Sequence, residues 1–194
     1  MGERLRAWTD TEQDVAFVAD AFDDPEMNRQ GEVAGSEDAR AWLRERLEGP
    51  GQWAWCLEVD GEAAGAVRIS QLSDLHRTGW VSYWIHRDRR GHGRAGRAAE
   101  AACTWALTDG NLFRLELGFR ADNLASFQTA LQAGFHREGV ERLKFVRPDR
   151  DAPSFDPADR VDVWTCARLR TDPRPMLGGV ELDWVPRPLP APAV

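Results

Sequence analysis

Cysteine is scarce in this chain, and what there is excludes two kinds of architecture. Cys56, Cys103 and Cys166 are odd in number and far apart, with no C-x-x-C and no Cys/His pairing. Neither a disulfide framework nor a structural zinc site is expected, no metal is implied, and reduced, buried thiols fit the pattern. Long apolar runs are missing too: no segment of about 18 apolar residues is available to span a membrane. Met1 to Trp8 is charged and has no apolar stretch, so no signal peptide is expected. The Met-Gly start lacks the Ser or Thr at position 6 that myristoylation would need. Positive charge is in deficit, with 25 Lys and Arg against 32 Asp and Glu and a net charge of -7, which disfavours non-specific nucleic-acid binding. The expectation is a cytoplasmic protein with no membrane, nucleic-acid or metal partner.

What is present is a chain of 194 residues, 42% hydrophobic and 29% charged, a length and balance that suit one domain with a sizeable core. Against its acidic body one stretch stands out, Val81 to Ala95, with Arg87, Arg89, Arg90 and Arg94 clustered in it. Val81 to Ile85 is aromatic and β-branched and predicts a strand. Gly91 and Gly93 lack a Cβ, so backbone N–H groups can face a ligand closely, and a helix starting there points its positive dipole end at the same spot. Strand, basic glycine loop and helix start together form a phosphate cradle.

In chain order, Leu5 to Trp8 reads as a short edge strand, and Thr9 and Glu12 have capping-box spacing before a helix to about Ala21. Pro25 to Gly35 reads as a polar loop. Ser36 can cap a second helix carrying Ala39, Trp42, Leu43 and Leu47. Strands at Trp53 to Val59 and Ala63 to Ile69 flank Asp60-Gly61, a two-residue hairpin signal, and 79–85 is the third antiparallel strand. A helix follows with Ala95, Ala98, Ala99, Ala102 and Trp105 or Ala106 on one face, stopped by Asp109-Gly110-Asn111. Leu112 to Phe119 is a strand, Leu124 to Gln132 a helix, and Phe135 to Val146 and Val161 to Leu169 are two last strands around a loop holding Pro148, Pro153 and Pro157. From Thr171 on there are six prolines, at 173, 175, 186, 188, 190 and 192. They predict an irregular tail, 172–194, that the domain at 1–171 does not need in order to fold.

Two motif readings compete in the cradle. Gly91-His92-Gly93-Arg94-Ala95-Gly96 fits G-x-G-x-x-G, and Glu116 stands twenty residues beyond Gly96, as a dinucleotide-binding fold would want. There the glycines follow the strand directly, whereas here His86 to Arg90 intervene, and too little chain follows to build a doubly wound sheet. Arg90-Gly91-His92-Gly93-Arg94-Ala95 also reads as R-x-x-G-x-A, which resembles the pyrophosphate-binding motif of the GNAT acetyltransferases. The element order matches that fold over roughly residues 3–170. Ala121-Asp122-Asn123-Leu124-Ala125-Ser126, followed by Ala133-Gly134-Phe135 and Glu138-Gly139, resembles the branch that acetylates N-terminal alanine or serine of ribosomal proteins. The resemblance implies an α/β (α+β) domain, with a mixed sheet of about six to seven strands flanked by about four helices.

It further implies acetyl-CoA as co-substrate, with its pyrophosphate on Arg90, Gly91, His92, Gly93, Arg94 and Ala95 and its pantetheine arm beside the strand at 81–86. An amide near Trp84, Ile85 or His86 would polarise the thioester carbonyl. Asn123 and Ser126 match the family's N-x-x-S, which makes Ser126 the proton donor to the leaving thiolate. The one tyrosine, Tyr83, is on a different element from the tyrosine acid of many relatives. A base is not identified by the match: Glu116 is the first candidate and Glu141 the second. The bland alternatives are that Glu116 is a cross-strand ion-pair partner, that Ser126 is a helix-start residue, and that His86 and His92 are solvated. Trp53, Trp55 and Trp84 are candidates to line the acceptor slot. The acceptor reads first as a protein N-terminal amine and second as a small amine such as an antibiotic or polyamine. A catalytically silent acyl-CoA-binding module is the alternative of a different class, and a homodimer is compatible with the sequence.

Overall fold

The computed structural model of the protein describes residues 2–30, 32–147 and 153–191; Pro148 and Pro192, among the prolines noted above, lie outside them. Eight strands form a single sheet in the order β6-β7-β5-β4-β3-β2-β1-β8. They are β1 Glu3–Arg6, β2 Trp53–Val59, β3 Glu62–Ser73, β4 Thr78–Ile85, β5 Arg114–Arg120, β6 His136–Val146, β7 Arg160–Leu169 and β8 Val180–Leu182. Four α-helices accompany them: α1 Glu12–Phe22, α2 Gly35–Glu48, α3 Arg94–Leu107 and α4 Leu124–Gln132. The fold class is as the sequence implies, with one strand more than the upper expectation.

That extra strand corrects two expectations. β8 lies in the proline-rich tail and pairs in parallel with β1, so β1, which pairs with β2 on its other side, is interior and not an edge. Proline bars a strand only where it sits, and Val180 to Leu182 fall in the one proline-free window between Pro175 and Pro186. The tail is also pinned by side chains of the domain. The Trp53 indole N–H donates to the Arg187 carbonyl at 3.1 Å, that of Trp55 to the Trp184 carbonyl at 3.1 Å, and Asn111 Nδ2 to the Leu189 carbonyl at 2.9 Å.

Local signals held in the main, with shifted caps. Asp60 and Gly61 both have positive φ, 54° and 87°, as a tight β2–β3 turn of mirror-image type requires. The cap of α1 is Thr11, whose side chain accepts from the Asp14 N–H. Thr9 instead donates its hydroxyl to Asp14 Oδ2 at 2.8 Å. Helix α2 begins before Ser36, with Ala34 as its cap residue and the Ala34 N–H held by Asp38 Oδ2 at 2.9 Å. The loop after α1 contains a short 3₁₀ helix, Pro25–Arg29.

Each face of the sheet has its own core. On one face α3 lies close because Ala98, Ala99, Ala102 and Ala106 are fully buried, against Trp55, Leu57, Leu115 and Leu117. On the other face α1 and α2 bury Val15, Val18, Phe22, Trp42 and Leu43 against Trp8, Cys56, Ala66 and Trp84. Each large side chain so buried is worth about 1.5–3 kcal/mol. All three cysteines are free and buried, and burial pushes the Cys103 thiol up to about 12, so they act as packing groups.

Candidate active site

The site begins with a pairing that stops. β4 and β5 are parallel neighbours only from Thr78–Arg114 to Trp80–Glu116. Beyond that point β4 stays on β3 as far as Ile85, while β5 stays on β7 as far as Arg120. The two strands therefore part, and the opening between them widens toward their C-terminal ends. The antiparallel ladder decides which backbone groups face it. The His86 N–H donates to the Ala64 carbonyl at 2.9 Å, so by alternation Trp84 and Ser82 also turn their N–H groups to β3. Beyond the last rung, Tyr83 and Ile85 turn theirs to the opening. Of the three residues expected to offer an amide to a thioester, Ile85 is placed to do so, and the amides of His86 and Trp84 are directed at β3.

The cradle sits where β4 ends. Gly91 and Gly93 have φ of 82° and 67°, and Gly93 is the cap residue of α3 with no side-chain cap. The first amides of α3 are therefore left to an external acceptor. A Cβ at Gly91 would meet nothing within 4 Å, so backbone conformation selects glycine there. Gly96 has a different duty: a Cβ on it would collide with the Gln132 side chain, so it lets α4 dock on α3. The residues fit a pyrophosphate. The arginines, however, are largely engaged within the protein. Arg87 pairs with Asp20 at 2.7 Å, and Arg90 with Asp24 at 2.6 Å and Glu26 at 2.7 Å. Arg94 donates to the Arg89 carbonyl at 2.8 Å and lies 3.3 Å from Glu3. Two of the four thus tie the loop to α1 and the 3₁₀ helix, and the backbone amides carry the cradle.

His86 is buried, which corrects its reading as a solvated residue. Its Nε2 is 2.7 Å from Asp20 Oδ2, and its Nδ1 accepts from the Asp88 N–H at 3.3 Å. With both ring nitrogens occupied it clamps the loop to α1. His92, by contrast, is exposed, with Nδ1 against the Arg90 carbonyl at 2.7 Å.

On the far side of the opening, Asn123 caps α4 by accepting the Ser126 N–H at 3.0 Å, which places Ser126 in the first turn. There it meets Tyr83, whose hydroxyl donates to the Ser126 carbonyl at 3.1 Å. Burial pushes the Tyr83 phenol well above its ordinary range, against the opposing pull of side-chain hydrogen bonds with Ser126 and Thr129. The sequence sets Tyr83 aside because it is on a strand and not on α4; the structure brings it to α4 across the gap.

Glu116 occupies the last rung of the β4–β5 ladder, on the face opposite Leu115 and Leu117. Its carboxylate accepts from Arg114 Nε at 2.6 Å, and Glu138 also binds Arg114, at 3.0 Å on one nitrogen. Glu116 is thus both an ion-pair partner and a half-exposed carboxylate at the vertex of the opening. Arg114 holds the Glu138 carboxyl below its ordinary range. Glu138 is a second carboxylate at the site that the sequence reading did not single out; its signal was the Glu138-Gly139 pair, which falls in a register shift of β6. Glu141 is instead paired with Lys144 at 2.7 Å. Trp53 and Trp55 belong to the core beneath α3, each edge-on to Trp105, and do not line the slot. The Trp84 side chain lies among Trp8, Phe17, Phe22 and Trp42. It lines a cavity of about 40 Å³ over β3 and β4.

A parted parallel strand pair, an uncapped glycine-led helix at its mouth and a hydroxyl-bearing helix start beside it make one continuous site at the C-terminal ends of β4 and β5. Residues 4–136 match the family model for the acetyltransferase (GNAT) domain, and the chain belongs to that family. It is 30% identical over 93 residues, 47% of this chain and 52% of the relative, to the ribosomal-protein-serine acetyltransferase of Escherichia coli K12; the match thus spans about half that relative's length. Among solved structures it is similar to a ribosomal alpha-N-protein acetyltransferase in complex with coenzyme A (TM-score 0.72, 19% identity, 87% of this chain and 94% of that one). It is equally similar to spermidine N-acetyltransferase from Vibrio cholerae in complex with CoA and spermine (TM-score 0.72, 18% identity, 88% and 96%). No helix among the described residues is long and apolar enough to cross a membrane.

Proposed function

We propose that this chain transfers acetyl from acetyl-CoA to a primary amine, most naturally the N-terminal amine of a protein or peptide. The observation that carries the reading is the parting of β4 from β5 beyond Trp80–Glu116, with the unpaired edge of β4 leading straight into the uncapped start of α3. An extended pantetheine arm would lie along Tyr83 and Ile85 as a strand would, its pyrophosphate on the amides from Gly91 to Ala95. Arg90 would have to share its charge with Asp24 and Glu26.

In the transfer, the amine nitrogen forms a bond to the acetyl carbon, the carbon–sulfur bond breaks, and the amine proton leaves to a base. Glu116 at the vertex serves as that base, and Ser126 gives the departing thiolate a proton. The Ile85 amide stabilises the carbonyl oxygen as it gains charge. The N-terminal reading is supported by the N-x-x-S at Asn123 and Ser126 and by the likeness to ribosomal-protein acetyltransferases. A polyamine acceptor is the second reading, favoured by the likeness to spermidine acetyltransferase and by Glu32, Asp38 and Glu45 in the groove along α2. Release of free thiol from acetyl-CoA decides among them. Peptides with free N-termini should accelerate it at least about tenfold over spermidine; spermidine leading would favour the second reading, and no acceleration by any amine would leave a silent coenzyme-binding module.

A further inference from the structure

We infer that the cavity over β3 and β4 is an oxyanion-binding subsite, so that the acceptor carries a carboxylate within reach of its amine. This rests on the N-acetyltransferase reading for the identity of the occupant, and on the cavity itself for the chemistry. Its polar wall is formed by Trp8, Gln30, Trp42, Arg46, Arg68, Ser82 and Trp84, and among the described residues no Asp or Glu lines it. Trp8 and Trp42 are buried to 2% and 8% exposure, and among the described residues neither indole N–H has a hydrogen-bond partner. A buried polar group left unpaired costs about 1–3 kcal/mol, so two such donors, both on residues that line one cavity, favour a shared acceptor there.

The charge balance has the same sign. Arg46 stacks on Trp42, 3.6 Å from the ring centroid, with a side chain 9% exposed. Arg46 and Arg68 share one carboxylate, that of the half-exposed Glu45, and otherwise donate to neutral acceptors, the Trp42 carbonyl and Gln52 Oε1; Glu32 and Asp38 line the neighbouring groove and not this cavity. Burial holds the Arg46 guanidinium down to about 10, as an incompletely compensated cation requires. Indole N–H groups and guanidinium groups only donate, and Gln30 and Ser82 can donate as well as accept, so the wall is richer in donors and suits an anion, and the space of about 40 Å³ suits a group the size of a carboxylate. It also has the right address. Ser82 and Trp84 lie on β4, so the cavity is about one strand spacing, roughly 5 Å, from the opening where the amine would react. A polyamine has no group to offer these donors.

The test uses the full chain with coenzyme A bound, and reads binding by tryptophan fluorescence. The probes are ω-amino acids of increasing length and dipeptides with a free C-terminus, each paired with its carboxamide. The two sets separate a free amino acid from a peptide as the source of the carboxylate. In at least one pair the carboxylate should bind about tenfold or more tighter than its amide. Trp8→Phe and Trp42→Phe keep the ring and delete the N–H, and each should shrink that ratio to about threefold or less with coenzyme A affinity unchanged within about twofold. Arg68→Met, at the more open edge, should do the same if a tryptophan variant fails to fold. A ratio near one throughout the panel, or a ratio that survives all three variants, overturns the subsite. Carboxylate selectivity without acetyl transfer would sink the enzymatic reading and leave the subsite standing. Acetylation of spermidine with no carboxylate selectivity would do the reverse.

Discussion

The hydroxyl of Tyr83 on β4 donates to the backbone carbonyl of Ser126 on α4 at 3.1 Å, joining the strand on one side of the opening to the helix that follows the strand on the other. Ser126→Ala should lower kcat about 30- to 100-fold, at or just below the low end of general-acid help, roughly 10²- to 10⁴-fold, because a thiolate is already a good leaving group. The acetyl-CoA dissociation constant should move less than about threefold, as for an interaction made in the transition state. Tyr83→Phe removes a buried hydrogen bond worth about 1 kcal/mol and should lower kcat by about three- to tenfold through the position of α4. Steady-state thiol release checks both, and a Ser126→Ala enzyme within about threefold of the parent would make that serine a helix-start residue.

Gly93 couples backbone strain to charge. At φ 67° a non-glycine residue costs about 1–2 kcal/mol, so Gly93→Ala should weaken coenzyme A binding by roughly thirtyfold at most. Gly93→Asp adds a carboxylate where phosphate would sit and should weaken it by at least another tenfold, with a loss that narrows as salt rises. Titration calorimetry at two ionic strengths separates the two contributions.

Glu116→Gln should cost kcat/KM about 10²-fold and flatten the acid limb of its pH profile. Glu138→Gln leaves the Glu116–Arg114 pair in place and should cost less than about threefold. Small losses in both would mean that the amine enters neutral and that water takes its proton.

Asp14 ties stability to pH. It is buried, which by itself would raise its pKa, but hydrogen bonds from Arg6 and Thr9 outweigh burial and hold it below the ordinary range. A carboxyl with a lowered native pKa stabilises fully above its unfolded value, about 3.9, and the contribution fades as pH falls through the native value. Asp14→Asn should therefore destabilise by about 2–3 kcal/mol at pH 7, below the full cost of breaking a buried pair because Arg6 keeps Glu58. Urea melts at pH 7 and near pH 3 should show that gap shrinking with acid.

Deleting 172–194 should destabilise the domain, contrary to what its prolines suggest. It removes the β8 partner of β1 and the carbonyls that receive the Trp53 and Trp55 indoles. Two orphaned buried donors cost about 2–4 kcal/mol after partial rehydration, a fall of roughly 6–12 °C in Tm for a chain of this size. Calorimetry of the truncated chain checks it, and an unchanged Tm would restore the tail as an appendage.

The sequence by itself determined the elements whose cause is local. Helix α4 was placed at Leu124 to Gln132 because Asn123 caps it and Gly134 stops it. The β2–β3 turn follows from Asp60-Gly61, and the cradle from glycines at positive φ before an alanine-rich helix. Family and cradle were legible for the same reason: they reside in short contiguous motifs. Tertiary structure decided whatever depends on partners far apart in the chain. A three-residue strand such as β8 has no signal until β1 offers an edge, and the arginines of the loop look free until Asp20, Asp24 and Glu26 arrive from α1 and the turn after it. Tyr83 reaches Ser126 across 43 residues only because β4 and β5 part. The amides of Tyr83 and Ile85 face the opening because an antiparallel ladder turns alternate residues outward, a choice of parity set by how β4 registers on β3.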